Sequence, residues 1–280
     1  MASTLQIQAP KSSSFILSYP TPSILLITIN RPQQMNSIPS AAHWEADAII
    51  QWFDNEPSLR VAIITGAGSK AFCAGQDLIE QAKFRENPPP ISARRHPPSG
   101  FAGISKRVGK KPVIAAVNGF ALGGGFEICL NWSSDLVVAS PTASFGLPEA
   151  TVGLYASAGG LPRVVRNCGM QVASEIALTG RRLTPEEALK HNLINKISET
   201  QESVVDESVD MAKKISLLSP DAVIVTRAGL RETWETASVE RGAQIISDRF
   251  DRQLFGGENM KIGLEAFATK KKPQWVPSKL

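Results

Sequence analysis

The sequence predicts an α/β fold in which strands and helices alternate, followed by a helical C-terminal region. The run Leu59–Thr65 and the unbroken apolar run Val113–Val117 have the length and composition of strands buried on both faces. Each run is followed by a glycine-containing turn and then by a helix-compatible segment. Beyond residue 200 the chain shows helical periodicity with few strand signals, so we expect a core over residues 1–200 and a helical region over 201–280.

The N-terminal part predicts a loose tail, a β-hairpin and one amphipathic helix. Residues 1–13 are small and polar, which is typical of an unpacked terminus. Phe15–Ser18 and Ile24–Ile29 are β-rich runs separated by a proline-containing turn. Ser40–Phe53 carries apolar and aromatic residues at helical spacing, which indicates a helix facing the core.

The first strand–turn–helix unit continues from Leu59–Thr65 through Ala74-Gly75-Gln76-Asp77 into a predicted helix over Leu78–Phe84. The following segment, Asn87–Ser99, is rich in proline and predicts a loop without regular structure. We expect the chain to return to helix over Gly100–Val108 before the next strand.

The second unit places three consecutive glycines, Gly123 to Gly125, between the strand Val113–Val117 and a helix predicted to begin at Phe126. Glu127 lies in the first turn of that helix, and a second carboxylate, Glu149, follows in a Gly-Leu-Pro-Glu turn. Backbone N–H groups at a helix start have no partner within the helix. Two such turns, converging on one oxygen, would provide the donors that a developing oxyanion requires.

The remaining elements are predicted to be helices. Thr184-Pro185-Glu186-Glu187 has a capping threonine, a proline at the first position and a glutamate three residues after the cap. The other segments with helical patterns are Leu161–Cys168, Gln171–Leu178, Glu202–Leu217, Asp221–Ser238, Glu240–Leu254 and Gly263–Lys270.

Composition narrows the class of protein. A chain of 280 residues with 42% apolar and 20% charged residues has the composition of an ordinary globular protein. A net charge of +4 is too small to indicate nucleic-acid binding. No dinucleotide-binding or phosphate-loop glycine motif occurs. The three cysteines and three histidines are too scattered for disulfide pairing or a metal site, so we predict no metal.

Two sequence features bear on location. No segment approaches the roughly 18 apolar residues of a membrane-spanning helix, so we expect no membrane insertion. Ser278-Lys279-Leu280 matches the peroxisomal import tripeptide, which a receptor recognises. We therefore expect a peroxisomal protein whose partners include that import receptor.

Blocks of sequence along nearly the whole chain, in the same order, resemble those of the crotonase (enoyl-CoA hydratase/isomerase) superfamily. They are Asn30-Arg31-Pro32, Met35-Asn36, Ala71–Asp77, Lys111–Glu127, Phe145–Glu149, Thr184–Ala188, Ala266-Phe267 and Lys270–Pro273. The resemblance implies a crotonase-like spiral of repeated ββα units and a C-terminal helical region used in assembly as a homotrimer or a dimer of trimers. It also implies an acyl-CoA substrate, with coenzyme A as part of that substrate and no separate cofactor.

The resemblance assigns roles to particular residues. The oxyanion donors would be the backbone N–H groups of Gln76 and Gly124, and the catalytic carboxylates would be Glu127 and Glu149. We expect Glu127 to act mainly on water and Glu149 mainly on the proton of the α-carbon. The residues implied in substrate binding are Ala74, Asp77, Ser157 and Lys270.

Two glutamates favour a hydratase or dehydratase acting on a 2-enoyl or 3-hydroxyacyl thioester. The alternatives are a Δ3,Δ2-enoyl-CoA isomerase on the same fold and a non-catalytic protein that binds CoA or RNA. More narrowly, Trp44–Glu80 and Trp275–Leu280 resemble fungal peroxisomal hydratases, which include enzymes of fatty-acid metabolism and of siderophore synthesis. The latter implies mevalonyl-CoA, with its branched and hydroxylated acyl chain, as one candidate substrate.

Two positions depart from the family pattern. Asn131–Ser134 appears as extra length between the two glutamates, which would either displace Glu149 or be absorbed in the turn after the helix. Ser157 stands where the family commonly has glycine. Its hydroxyl would either bind a polar substituent of the substrate or cap the next helix.

Overall fold

The computed structural model describes residues 5–130 and 134–280 as one α/β body with a helical C-terminal region. Within these residues the strands are β1 (Phe15–Thr21), β2 (Ile24–Ile29), β3 (Val61–Gly66), β4 (Ala71–Cys73), β5 (Val113–Val117), β6 (Phe120–Leu122), β7 (Leu136–Ala139), β8 (Ser144–Gly146) and β9 (Lys196–Ile197). The helices are α1 (Ser40–Asn55), α2 (Leu78–Glu86), α3 (Ile91–Arg94), α4 (Gly124–Cys129), α5 (Gly160–Thr179), α6 (Pro185–Lys190), α7 (Val204–Ser216), α8 (Pro220–Thr236), α9 (Val239–Phe255) and α10 (Glu258–Thr269).

The strands form two sheets. The larger sheet has the order β1-β2-β3-β5-β7-β9, and the smaller sheet has the order β4-β6-β8. The hairpin β1–β2 is antiparallel, and all the other pairs in the two sheets are parallel. The chain therefore repeats one pattern: a strand of the larger sheet, a short strand of the smaller sheet, and then a turn or helix.

Parallel pairing explains why the buried runs are apolar on both faces. All the residues of β3 and β5 are buried, because helices cover both sides of the larger sheet. One core cluster packs β2, β3 and β5 against α1, α4 and α5. A second cluster packs the other face of the larger sheet against α7, across the boundary predicted at residue 200, through Val204, Val209 and Ala212.

Several predicted elements are confirmed with small changes at their ends. The hairpin, α1, α2, β5 and the C-terminal helices lie where the sequence patterns indicated. Thr184 and Glu187 form the predicted capping box at the start of α6. The two helices predicted within residues 161–178 are both present as the two halves of α5, which Gly169 separates with a φ of +79°.

Three local predictions are wrong. Gly100–Val108 is not a helix but a short 3-10 turn over Phe101–Gly103, because Gly100, Ala102 and Gly103 all have positive φ. The proline-rich loop contains one helical turn, α3. Residues 5–13 lack helix or strand, yet they are held to the body, since Glu45 accepts hydrogen bonds from Ser12 and Ser13 and Glu56 accepts them from the backbone of residues 6 and 7.

The C-terminal residues fold back onto the helical region. The Trp275 indole donates a hydrogen bond to the carbonyl of Leu217 at the end of α7. Asn259 exchanges two hydrogen bonds with the backbone of Val276. Across residues 5–130 and 134–280, no helix combines the length and the apolar character needed to cross a bilayer.

Candidate active site

The groups predicted to carry the chemistry follow three neighbouring strands of the smaller sheet. Gln76 follows β4, Gly124 and Glu127 follow β6, and Glu149 follows β8. These strands are parallel neighbours, with Cys73 beside Ala121 after a register shift in β4, and Leu122 beside Gly146. Because the carboxyl ends of parallel strands meet at one edge of a sheet, residues far apart in sequence are brought to a common edge.

The turn before α4 requires glycine for two reasons. Gly123 has φ +55° and ψ −126°, a conformation that residues with a side chain rarely adopt. A Cβ on Gly125 would lie 2.0 Å from the carbonyl oxygen of Cys73, so the helix packs directly on β4. The glycine run therefore lets α4 begin at Gly124, two residues before the predicted start, and in contact with the neighbouring unit.

The turn that holds Gln76 lies against the turn that holds Gly124. Gly75 has φ +93°, and a Cβ placed there would lie 3.3 Å from the backbone nitrogen of Gly124. Among the hydrogen bonds made by the described residues, neither the N–H of Gln76 nor that of Gly124 has an acceptor. Two unpaired N–H donors on touching turns are an arrangement suited to one shared oxygen.

Glu127 is buried, and the first residue of α5 contacts its carboxylate. Its Oε1 accepts a hydrogen bond of 2.7 Å from the backbone N–H of Gly160. Burial raises the pKa of Glu127 to about 7, with the Gly160 N–H opposing this rise and the nearby Glu149 adding to it. A carboxyl group with this pKa can both take up and release a proton near neutral pH.

Glu149 begins a short 3-10 turn after β8. Its Oε1 lies 3.2 Å from the position that a Cβ on Gly123 would take, so the carboxyl group borders the glycine turn. Its Oε2 is buried and has no hydrogen-bond partner. Burial raises the pKa of Glu149. An unpaired carboxyl oxygen with a raised pKa has the properties of a proton donor.

A cleft of about 250 Å³ opens beside these groups. Its lining includes Gln76, Gly124, Glu127 and Glu149. The structure thus brings the two predicted carboxylates and both predicted backbone donors to one cavity.

Of the four residues predicted to bind substrate, two line the cleft and two do not. Ala74 and Ser157 line it. The Ser157 hydroxyl does not cap α5, because the N-cap is Gly159 and no side chain caps that helix. Asp77 instead caps α2 and pairs with Arg31 at 3.0 Å, so its carboxylate is already engaged. Lys270 ends α10 in a left-handed conformation, outside the lining of the cleft.

The predicted extra length at Asn131–Ser134 falls mostly on 131–133, which lie outside the described residues. Ser134 is described, and its hydroxyl donates a hydrogen bond to the carbonyl of Ile128 near the end of α4. Glu149 lines the same cleft as Glu127.

Sequence reasoning missed a polar cluster around the Gln76 side chain. His43 on α1 and His96 in the proline-rich loop both place Nε2 near Gln76 Oε1, at 2.8 Å and 3.1 Å. The two imidazole rings lie 4.2 Å apart. No spacing in the sequence relates residues 43, 76 and 96, because three separate elements carry them. In the described part of the chain, no three His, Cys, Asp or Glu residues group as a metal site would require.

Comparisons with known proteins show what the chain is similar to. The family model described as enoyl-CoA hydratase/isomerase matches residues 21–278. The chain is 45% identical to a mevalonyl-coenzyme A hydratase of Beauveria bassiana, over 99% of this chain and all of the relative. It is 35% identical to a carnitinyl-CoA dehydratase of Proteus mirabilis, over 90% of this chain and 95% of the relative. The crystal structure of an enoyl-CoA hydratase from Mycobacterium marinum superposes with a TM-score of 0.84 at 32% identity, covering 95% of this chain and all of the other.

Proposed function

This chain belongs to the enoyl-CoA hydratase/isomerase family, and from that premise we propose that it adds water to, or removes water from, an acyl-CoA thioester. The observation that carries the proposal is the pair Glu127 and Glu149, which lines one cleft with the unpaired N–H groups of Gln76 and Gly124. The relatives named as a mevalonyl-coenzyme A hydratase and a carnitinyl-CoA dehydratase support the same reaction class.

We assign the thioester oxygen to the two backbone N–H groups. When water adds to C3 of a 2-enoyl thioester, the electrons of the double bond move toward the thioester and form an enolate. Hydrogen bonds from Gln76 and Gly124 stabilise the negative oxygen, and losing one such donor typically costs about 3 kcal/mol in the transition state.

The two carboxyl groups divide the proton transfers. We assign Glu127 as the base that takes a proton from water, and Glu149 as the acid that protonates C2 of the enolate. Burial raises the pKa of both carboxyl groups, and the charge of Glu149 adds to the rise at Glu127. Hydration requires Glu127 to be ionised and Glu149 to be protonated. Dehydration runs through the same groups in reverse. The net change is one molecule of water gained or lost.

The acyl group we propose is mevalonyl or its dehydrated product. The supporting observation is the identity of 45% over the whole length of the mevalonyl-coenzyme A hydratase from Beauveria bassiana. We propose siderophore synthesis as the pathway, as the resemblance in the sequence implies.

The test is turnover of a panel of thioesters followed by mass spectrometry: saturated, straight-chain 2-enoyl, and 3-hydroxy-3-methyl acyl-CoAs, including mevalonyl-CoA. A hydratase or dehydratase changes the mass of its substrate by one water, and in the hydration direction ¹⁸O from labelled water enters the product. A double-bond isomerase leaves the mass of its substrate unchanged. A non-catalytic protein binds the thioester without converting it. Either of these two results would overturn the proposed reaction.

We also propose import into peroxisomes through Ser278-Lys279-Leu280. The side chain of Lys110 donates a 2.7 Å hydrogen bond to the backbone oxygen of Leu280, so capture by the receptor would have to open this contact. Fusing a fluorescent protein to residue 1 should give peroxisomal fluorescence. Leu280→Asp should leave the fluorescence diffuse, and punctate fluorescence in that variant would contradict the proposal.

We propose homotrimeric assembly or a dimer of trimers. Exposed apolar side chains on the C-terminal helices support an interface there, since Leu230 and Phe267 are 72% and 87% exposed in the single chain. Light scattering of the purified protein would give the mass of the assembly, and a monomeric mass would contradict this proposal.

A further inference from the structure

One wall of the cleft is formed by a polar cluster that the catalytic step does not use. His96 lines this wall and is carried by the loop between α3 and the 3-10 turn at Phe101. The Trp44 indole donates a hydrogen bond of 3.0 Å to the carbonyl of Arg95 and ties the loop to α1. The His96 ring also packs edge-on against Phe101, at 5.9 Å between centroids. The imidazole therefore has a defined place at the cleft.

The protonation of His43 follows from its hydrogen bonds. The backbone N–H of Ala102 donates to Nδ1 of His43 at 3.0 Å, so this nitrogen carries no proton. His43 is fully buried, and burial lowers its pKa to about 3, with His96 contributing. The neutral ring therefore carries its proton on Nε2, which donates to Gln76 Oε1 at 2.8 Å.

The proton on His43 Nε2 fixes the orientation of the Gln76 amide. Because His43 Nε2–H must find an acceptor, Gln76 presents its oxygen to the two histidines and its NH₂ group points away from them. His96 Nε2 lies 3.1 Å from the same oxygen, and an amide oxygen can only accept, so His96 Nε2 also donates. Partial burial at the cleft and the nearby Lys106 lower the pKa of His96, which favours the neutral ring. Its Nδ1 is then an acceptor.

Two hydrogen-bonding groups are left without partners among the described residues: the NH₂ group of Gln76, a donor, and Nδ1 of His96, an acceptor. Both residues line the cleft. A donor and an acceptor on the wall of one cleft match a hydroxyl group, which both accepts and donates. The pair does not match a carboxylate, which only accepts, or a quaternary ammonium, which has no N–H.

We propose that Gln76 Nε2 and His96 Nδ1 bind a hydroxyl group on the acyl chain of the substrate, and that His96 selects acyl-CoAs carrying that group. This rests on the proposed hydratase function and specifies the substrate class within it. The hydroxyl concerned is not the one added to or lost from C3. It is a second one farther along the chain, of the kind that the 5-position of a mevalonyl group carries.

The first measurement uses the wild-type protein and two substrates that differ by one hydroxyl: 5-hydroxy-3-methyl-2-pentenoyl-CoA and 3-methyl-2-pentenoyl-CoA. We expect kcat/KM to favour the hydroxylated substrate by about tenfold or more, because the second leaves a donor and an acceptor unpaired. Turnover of both with a ratio near one would overturn the proposal and leave the hydratase function intact. Turnover of neither thioester would overturn both.

Two substitutions separate recognition of the hydroxyl from support of Gln76. His96→Asn keeps an acceptor near the place of Nδ1 and loses the contact with Gln76. His96→Gln keeps a donor near the place of Nε2 and loses the acceptor. We expect the preference for the hydroxylated substrate to survive better in His96→Asn and to fall to near one in His96→Gln.

His191→Gln is the matched control, because His191 ends α6 and lies outside the lining of the cleft. This variant should keep the wild-type ratio of kcat/KM between the two substrates. If His96→Gln lowers kcat/KM equally for both substrates and leaves their ratio at the wild-type value, His96 only supports Gln76, and the proposal is wrong.

Discussion

The two turns that present backbone N–H groups to the cleft are built in different ways. The turn before α4 is held by close packing, since Gly125 sits directly on the carbonyl of Cys73 and all the residues of α4 are buried. The turn at Gln76 is held by polar side chains, with His43 and His96 bound to its amide oxygen and Asp77 capping the next helix. One donor is positioned by the absence of side chains, and the other by hydrogen bonds from distant elements.

The difference between the two turns predicts that they have separate roles. The packed turn carries a buried carboxylate, Glu127, whose pKa is raised by burial and by the nearby Glu149. The hydrogen-bonded turn carries no ionised group at the cleft, but it presents amide and imidazole groups that can recognise a substrate. Substitutions in the first turn should therefore affect the chemical step and the folding energy, whereas substitutions around the second should affect positioning and selectivity.

The largest effect is expected at the packed turn. Glu127→Gln keeps an oxygen for the Gly160 N–H but removes the base, so kcat should fall by about a thousandfold. Glu186→Gln, at an exposed position of α6, is the control and should retain wild-type activity. Steady-state kinetics on the best substrate of the panel measures both. A loss smaller than tenfold in Glu127→Gln would remove this residue from the mechanism.

The next effect concerns the packing of the same turn. Gly125→Ala places a methyl group 2.0 Å from the Cys73 carbonyl oxygen and should lower the free energy of unfolding by about 3 kcal/mol. Gly229→Ala in α8 is the control, since a Cβ there meets only an ordinary contact at 3.8 Å. Urea unfolding measures the free energy of unfolding of both variants. Equal stability would show that α4 can move away from β4, contrary to the close packing described here.

The pH dependence of stability tests the raised pKa of Glu127. A rise from 4.5 to about 7 on folding means that the folded state loses stability as the pH increases from about 4.5 to 7, by about 3 kcal/mol at most. Below pH 4.5 the carboxyl group is protonated in both states and costs nothing. Glu127→Gln should therefore be more stable than wild type at pH 8, with no such difference at pH 4. Thermal unfolding at both pH values measures this, and a gain that is independent of pH would contradict it.

The smallest effect is expected at the hydrogen-bonded turn. His43→Leu removes one of the two donors to Gln76 Oε1 and leaves the Ala102 N–H without its acceptor, which should cost about 2 kcal/mol of stability. Because Gln76 then loses part of its support, kcat should fall by about tenfold with a smaller change in KM. Urea unfolding measures the stability of this variant, and steady-state kinetics measures its kcat and KM. An unchanged kcat in a destabilised but folded variant would show that His43 has no positioning role.

Much of the fold was predictable because its signals are local. The runs that became β2, β3 and β5 contain four or five consecutive apolar residues, and α6 has its capping box within four residues. The strands β4, β6 and β8 were not identified individually, because three residues are too few to show periodicity. The helix expected at Gly100–Val108 is absent because positive φ angles and the hydrogen bond from Ala102 to His43 on α1 outweigh its local preference.

The sequence by itself determined the glycine turn, the two glutamates and the order of the strand–turn–helix units, because these features depend on neighbouring residues. Only the tertiary structure decided that Gly75 touches Gly124, that Glu127 meets Gly160, and that His43 and His96 meet at Gln76. Each of these contacts joins segments that are distant in the chain, and parallel pairing of the three short strands brings the turns together. The protonation states depend on burial, which is likewise a property of the folded chain.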